Sequence, residues 1–263
     1  MSRRLTLVDA MGLGPAWYPR GTYPQAEAEA PLATAAAQPV YGESATLLPP
    51  QENKPAVPTP APPAQSEPAA VAPGVAAQPT PQLGWAALAQ TVAACQACPL
   101  AATRRQTVFG RGNPEARWML VGEAPGEQED RQGEPFVGRA GQLLDNMLAA
   151  LGLDRERDVY IANVIKCRPP GNRNPEPAEI ATCRGYLDAQ IAHVKPDIIL
   201  ALGRFAAQTL LGSNETIGRL RGREHRLGDI PLVATFHPAY LLRSPSEKAR
   251  AWQDLLLACR LLG

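Results

Sequence analysis

Residues 197–202 read Asp-Ile-Ile-Leu-Ala-Leu, five unbroken apolar residues after one acid, and a helical stretch follows near 204–211. An apolar run with no polar alternation buries both faces of a strand, which suits the interior of a parallel sheet covered by helices. The same texture recurs on either side. Upstream, 118–121 is a short apolar run ending at Gly122, and 159–165 is the next. Downstream, 231–236 is a fourth. Helical stripes separate them. Residues 139–151 carry Leu143, Leu144, Met147, Leu148 and Leu151; 174–194 carries Ile180, Leu187 and Ile191, opened by Asn174-Pro175. Further helices are expected at 83–94, with Leu88 and Val92 spaced by four, and at 246–261. Strands alternating with helices predict an α/β sandwich around a mostly parallel four-stranded sheet. In such sheets ligands bind beyond the carboxyl ends of the strands, so the residues just after each strand matter most.

The 263-residue chain has a second texture toward its start. Residues 24–81 hold 14 of its 28 prolines in 58 positions. Proline at that density blocks helix interiors and central strands, so 21–82 reads as a Pro/Ala-rich disordered linker. It leaves 83–263 as the folded domain, long enough for one sizeable core. From residue 82 on, 22 Lys and Arg face 19 Asp and Glu, a net charge of +3; before it, 4 face 6. A histone-like basic coat is excluded, but a local basic groove is not. No stretch approaches 18 consecutive apolar residues, and the start lacks the long apolar segment of a signal peptide. A cytoplasmic monomer is expected. Residues 1–20 read as a frayed tail or as a short helical peptide, around 3–20, that docks a protein partner through Trp17 and Tyr18.

Three strand ends carry chemistry. After 118–121 comes Gly122-Glu123-Ala124-Pro125-Gly126-Glu127-Gln128-Glu129, a sharp turn able to approach a ligand. It fits neither the P-loop nor the dinucleotide fingerprint. Further on, Phe136 sits in a glycine-bounded loop, as a core plug or a stacking platform. Asn163 lies inside an apolar strand, where its amide must be used, either within the fold or on a planar ring edge. His237 stands at the end of the last strand with Pro238 behind it. The run 219–226 holds Arg219, Arg221 and Arg223, a solvated surface or a phosphate-binding strip. Five cysteines in a reducing compartment read as ligands or core. Cys95 and Cys98 form C-x2-C, Cys167 and Cys183 lie further on, and Cys259 falls on an apolar helix face. The four could hold zinc or an iron–sulfur cluster, and the single knuckle followed by Pro99 favours [4Fe–4S].

Taken together, C-Q-A-C-P-L, G-E-A-P-G-E-Q-E-D-R-Q-G-E-P-F-V-G-R-A-G, A-N-V-I-K-C-R-P-P-G-N-R-N-P and T-F-H-P-A-Y-L-L-R resemble the family 4 uracil-DNA glycosylases. The resemblance covers about 83–263. It implies a three-layer α/β/α fold, a [4Fe–4S] cluster on Cys95, Cys98, Cys167 and Cys183, and excision of uracil from DNA. It places Phe136 against the base, Asn163 on its polar edge and His237 on uracil O2. It also puts Glu123 and Ala124 in the water-activating motif and Glu129 near the C5 edge. The best-known branch of the superfamily has an aspartate base where this chain has Ala124. Leu241 or Leu242 would wedge into the vacated stack, and Arg219, Arg221, Arg223, Arg243 and Arg139 would meet phosphates. The rival expectation is a noncatalytic iron–sulfur DNA-binding module that recruits a polymerase or repair partner.

Overall fold

The computed structural model describes residues 83–263; the expectations for 1–20 and 21–82 lie outside the described residues. The described chain opens with α1 (Trp85–Ala94), whose Leu88 and Val92 are fully buried. Next come β1 (Arg111–Gly112), β2 (Trp118–Gly122), α2 (Glu127–Gln132), α3 (Arg139–Ala150) and β3 (Val159–Asn163). Then follow α4 (Pro177–Val194), β4 (Ile198–Leu202), α5 (Arg204–Leu211), α6 (Ile217–Leu220), β5 (Glu224–Leu227) and β6 (Ile230–Thr235). Finally α7 (Pro238–Arg243) and α8 (Lys248–Leu262) close the chain.

Among the described residues the sheet has six strands in the order β1-β3-β2-β4-β6-β5, which corrects the expected four. The four expected strands form its parallel centre, β3-β2-β4-β6. Both edges are antiparallel additions. β1 is two residues long and β5 is polar on its outer face, so neither carries the apolar signature of a buried strand. Such short, charged edges resist pairing with other chains.

Side chains alternate across the central strands and build a core on each face. Met119, Val121, Ile199 and Ala201 pack with Leu187 and Ile191 of α4 and Ala206 and Leu210 of α5. Leu120, Ile161, Ile198, Leu200 and Val233 pack with Leu144, Met147 and Leu148 of α3 and Leu255 of α8. This is the expected three-layer arrangement. Each fully buried Leu or Ile contributes about 1.5–3 kcal/mol.

α4 starts at Pro177 rather than at Asn174-Pro175. Glu176 is its N-cap and Glu179 completes a capping box, the Glu176 N–H donating to Glu179 Oε2 at 2.8 Å. Pro177 fits the first helical position because no backbone donor is needed there. Near the end of β6, Arg221 donates to both oxygens of Asp254 at 2.9 and 2.7 Å. Thr235 Oγ1 also donates to Asp254, at 2.8 Å. The three groups fasten α8 to the end of β6. Among the described residues no helix is long and apolar enough to cross a membrane.

Candidate active site

The carboxyl ends of the parallel strands open into a cleft of about 750 Å³. It gathers Glu123, Ala124, Glu129, Phe136, Asn163 and His237, six expected site residues spread over 115 positions of sequence. Each is set there by local backbone chemistry.

Asn163 is the last residue of β3 and is paired in register with Gly122 at the end of β2. Its side chain is 2% exposed, and its Oδ1 is buried without a hydrogen-bond partner. An orphaned buried acceptor costs about 1–3 kcal/mol, and a ligand that supplies a donor recovers it. Gly122 makes room for this amide. A Cβ at Gly122 would sit 2.8 Å from the Phe136 ring and closer still to Asn163 Oδ1.

Phe136 adopts φ +53°, a left-handed conformation unusual for a bulky residue. Its backbone is held from two sides. Gly141 of α3 leaves space for the Phe136 carbonyl, which any Cβ there would strike. Arg155 donates to that carbonyl at 3.1 Å, to the Pro135 carbonyl, and to Asp145 at 2.7 Å. The ring stands against His237, centroids 5.4 Å apart and planes 28° off parallel. Glu129 ties the two loops of the cleft together. Its Oε1 accepts from the backbone N–H groups of Val137 and Gly138 at 3.0 and 3.3 Å, and its other oxygen crowds Gly126.

His237 is the N-cap of α7, and its Nδ1 accepts from the Ala239 N–H at 3.1 Å. A backbone N–H can only donate, so the neutral ring carries its proton on Nε2, free to donate into the cleft. Burial, with help from Arg243, pushes the His237 pKa down to about 4, so the ring is neutral at physiological pH. Gly203, at φ +94°, follows β4 and lies so close that a Cβ there would be 2.9 Å from His237 Cβ. Glu123 faces the same cleft. Burial raises its carboxyl to about 6, while Arg204 at the start of α5 pulls it back down. Ala124 beside it offers no proton-transfer group, and the other carboxylate of the cleft, Glu129, is engaged by the Val137 and Gly138 N–H groups.

These groups bring an aromatic surface, an amide edge, an imidazole donor and a carboxylate into one cleft. A profile of the family described as the uracil DNA glycosylase superfamily matches residues 109–256, more than half of the chain. This chain belongs to the uracil DNA glycosylase superfamily. Among its relatives, the Type-4 uracil-DNA glycosylase of Thermotoga maritima is 48% identical over 165 residues, 62% of this chain and 85% of that protein. The Type-4 enzyme of Archaeoglobus fulgidus is 44% identical over 175 residues, 64% of this chain and 87% of the relative. A Type-5 uracil-DNA glycosylase from Thermus thermophilus is 32% identical over 208 residues, 65% and 93% of the two chains.

Within this superfamily fold, the expected cysteines come together from separate parts of the chain. Cys95 caps α1, Cys98 follows it, Cys167 lies beyond β3 and Cys183 is on α4. Cys167 interacts electrostatically with Cys95 and Cys98, and Cys183 with Cys95 and Cys167. Burial pushes both buried thiols up, Cys183 to about 11. Two cations oppose it. Arg104 donates to Cys167 Sγ at 3.0 Å and to the Cys95 carbonyl at 2.5 Å, and the buried Lys166 ammonium favours the Cys183 thiolate. Among the described residues no three His, Cys, Asp or Glu side chains are gathered tightly enough for a single metal ion. Zinc bonds of about 2.3 Å would draw tetrahedral sulfurs to roughly 3.8 Å from one another. Four thiols with two adjacent cations form a donor set suited to an anionic group. Cys259 packs at the edge of the α8 core, as expected.

The expected DNA contacts divide. Arg221 is 11% exposed and locked to Asp254, so it is a structural residue and not a phosphate contact. Arg223 pairs with Glu215 at 3.1 Å, and neither it nor Arg219 lines the cleft. Leu241 is fully buried in the core, which rules it out as a wedge, whereas Leu242 is 36% exposed. Arg243 and Arg139 do line the cleft and are exposed. Arg204 joins them there, and it was missed although it directly follows a strand. Tyr240, also exposed on the rim, has no distinguishing sequence signal beyond its place after His237.

This division is testable. Arg243→Ala weakens DNA binding and lowers the slope of log affinity against log salt by about 1, with an unchanged Tm. Arg221→Ala leaves that slope intact but strands a buried carboxylate, at about 3–5 kcal/mol, and so lowers Tm by roughly 6–20 °C. Salt titration of DNA binding and thermal melts of both variants check the contrast.

Proposed function

We propose that this chain is a monofunctional glycosylase that takes uracil out of the DNA stack and hydrolyses its N-glycosidic bond, leaving an abasic site. One observation carries the assignment to uracil: the orphaned, buried Asn163 Oδ1 at the wall of a pocket that also holds a flat aromatic. Uracil presents a donor at N3 and an acceptor at O4, which matches an amide whose acceptor is free. Cytosine presents the reverse pattern at those positions and mismatches the same fixed amide. The catalytic unit is residues 83–263, which include the whole span matched to the superfamily.

Extrusion of the base costs a few kcal/mol. Stacking on Phe136 returns about 1–3 kcal/mol of it, and the exposed Leu242 is the remaining candidate to fill the gap. Bond cleavage develops positive charge on the sugar and negative charge on the departing base, as in other glycoside hydrolysis. His237 Nε2–H donates toward uracil O2 and stabilises the growing anion, as a donor in an oxyanion hole does. It serves best as a neutral ring, since its donor is then fixed by the Ala239 contact. Glu123 as a carboxylate stabilises the cationic sugar and orients the attacking water. Glu129 shapes the loop facing the C5 edge, where the methyl of thymine would have to fit. Arg139, Arg204 and Arg243 are placed for the phosphates around the extruded nucleotide.

We further propose that Cys95, Cys98, Cys167 and Cys183 hold a [4Fe–4S] cluster. The four cysteines would then be tied together, and the group would supply anchorage between the end of α1, the segment after β3 and α4. The purified protein is expected to be brown and to contain roughly four iron atoms per chain; zinc in place of iron on elemental analysis would overturn this assignment. The noncatalytic reading is not favoured, because the relatives carry the names of enzymes and the cleft keeps both a neutral donor and a carboxylate.

The Glu123 carboxyl sets the acid limb of activity. It is ionised above about pH 6, so turnover falls as pH drops through 6 and recovers on the alkaline side. Glu123→Gln abolishes that limb and lowers turnover at pH 8 by about 10²-fold or more. The pH dependence of single-turnover uracil release measures both, and an unshifted limb in the variant would assign it to another group.

A further inference from the structure

Lys166 is fully buried, and no carboxylate pairs with it. Its ammonium folds back three residues and donates to the main-chain oxygen of Asn163 at 2.7 Å. It also donates to Gln190 Oε1 at 2.5 Å. Gln190 is itself completely buried on α4, and its Nε2 donates to the Phe109 carbonyl at 2.8 Å and the Tyr160 hydroxyl at 3.1 Å. The backbone of Lys166 is fixed as well, its carbonyl accepting from the Val108 N–H at 2.8 Å.

Burying an ammonium on neutral oxygens is expensive, and an apolar side chain of equal volume would fill the space without that cost. Part of that charge answers the Cys167 and Cys183 thiols, and the lysine also does what an apolar residue cannot, holding the carbonyl of Asn163 at 2.7 Å. That carbonyl belongs to the peptide at the end of β3, whose tilt sets the direction of the Asn163 side chain. Lys166 also precedes Cys167, and Gln190 lies two helical turns beyond Cys183 on the same helix.

We infer that Lys166 and Gln190 form a positioning device for base selection: they fix the Asn163 peptide so that its amide meets the uracil edge, and they fasten that orientation to the cysteine-bearing helix. Neither residue touches the base. The inference rests on the reading of Asn163 as the residue that selects uracil. A slack Asn163 amide can turn its donor and acceptor ends about and accept either pyrimidine, so selectivity is lost before turnover is.

The test uses the full chain with Lys166→Met and Gln190→Met made separately; Gln190→Met decides alone if Lys166→Met does not fold. Binding is measured to duplexes carrying 2′-fluoro-2′-deoxyuridine or 2′-fluoro-2′-deoxycytidine, in which fluorine disfavours the cationic sugar and blocks hydrolysis. Visible absorption of each protein reports the four-cysteine site. The expected result is a preference for the uracil duplex reduced about tenfold relative to wild type, with visible absorption retained. A wild-type preference that survives the substitutions overturns the inference alone. Preference and absorption lost together also overturn it, since the pair would then serve the cysteine site and not Asn163. A wild-type protein with no preference overturns both this inference and the uracil reading beneath it.

Discussion

Replacing His237 with alanine lowers single-turnover uracil release by about 10²–10³-fold, the loss expected when one preorganised donor to a developing oxyanion is removed. Affinity for uncleavable DNA changes little, because the arginines of the rim remain. The substitution also removes the acceptor for the Ala239 N–H, an N-cap contact of about 1 kcal/mol. His237→Asn separates the two effects, since asparagine caps helices well but does not carry the Nε2 donor. It shows the same loss of turnover with a Tm close to wild type. Burial holds the ring near pKa 4, so no inflection near pH 6.5 arises from this residue in the activity of the wild type. The stability consequence has the opposite dependence to a salt-bridged histidine. Between about pH 6.5 and 4 the unfolded chain takes up a proton here that the folded chain refuses, so stability falls as pH falls through that window. A variant with near-normal turnover would remove His237 from the chemistry.

Asn163→Asp changes selection more than rate. The carboxylate accepts at both ends and cannot donate to uracil O4, so the uracil edge loses half of its match. A bidentate amide contact discriminates by about 1–3 kcal/mol, which predicts a fall of roughly 5- to 150-fold in the preference for uracil over cytosine. The comparison is of kcat/KM on two oligonucleotides that differ only in that base. Preserved selectivity would show that another group reads the ring. Gly122→Ala offers a steric check on the same wall, because its methyl would intrude between the Asn163 amide and Phe136.

The parallel centre of the sheet was legible because residues such as Ile198 to Leu202 are apolar without alternation. The edges were not. Arg111–Gly112 is too short to show a pattern, and 224–227 alternates only partly buried residues with charges, which reads as surface. Of the site, Glu123, Asn163 and His237 lie at three strand ends and line one cleft, whereas Glu129 is marked only by the family resemblance. Gly203 and Arg204 follow the fourth in the same way, but a glycine and an arginine after an apolar strand carry no motif that marks a site. Arg221 misled because a cluster of arginines carries no record of which one meets an acid 33 positions away. Leu241 and Leu242 could not be told apart by type, since only the helical turn of α7 decides which of them faces the core. Lys166 and Arg155 act through backbone carbonyls, and a carbonyl leaves no mark in the sequence.

As proposed, this cleft cuts the bond between uracil and deoxyribose. The most direct test is mass-spectrometric detection of the free base after incubation of the full-length, cluster-loaded protein with an oligonucleotide containing one uracil. The predicted result is one equivalent of uracil and a strand carrying an abasic site, with no base released from matched thymine or cytosine controls. Intact uracil-containing strands after exposure to cluster-loaded protein would contradict the claim.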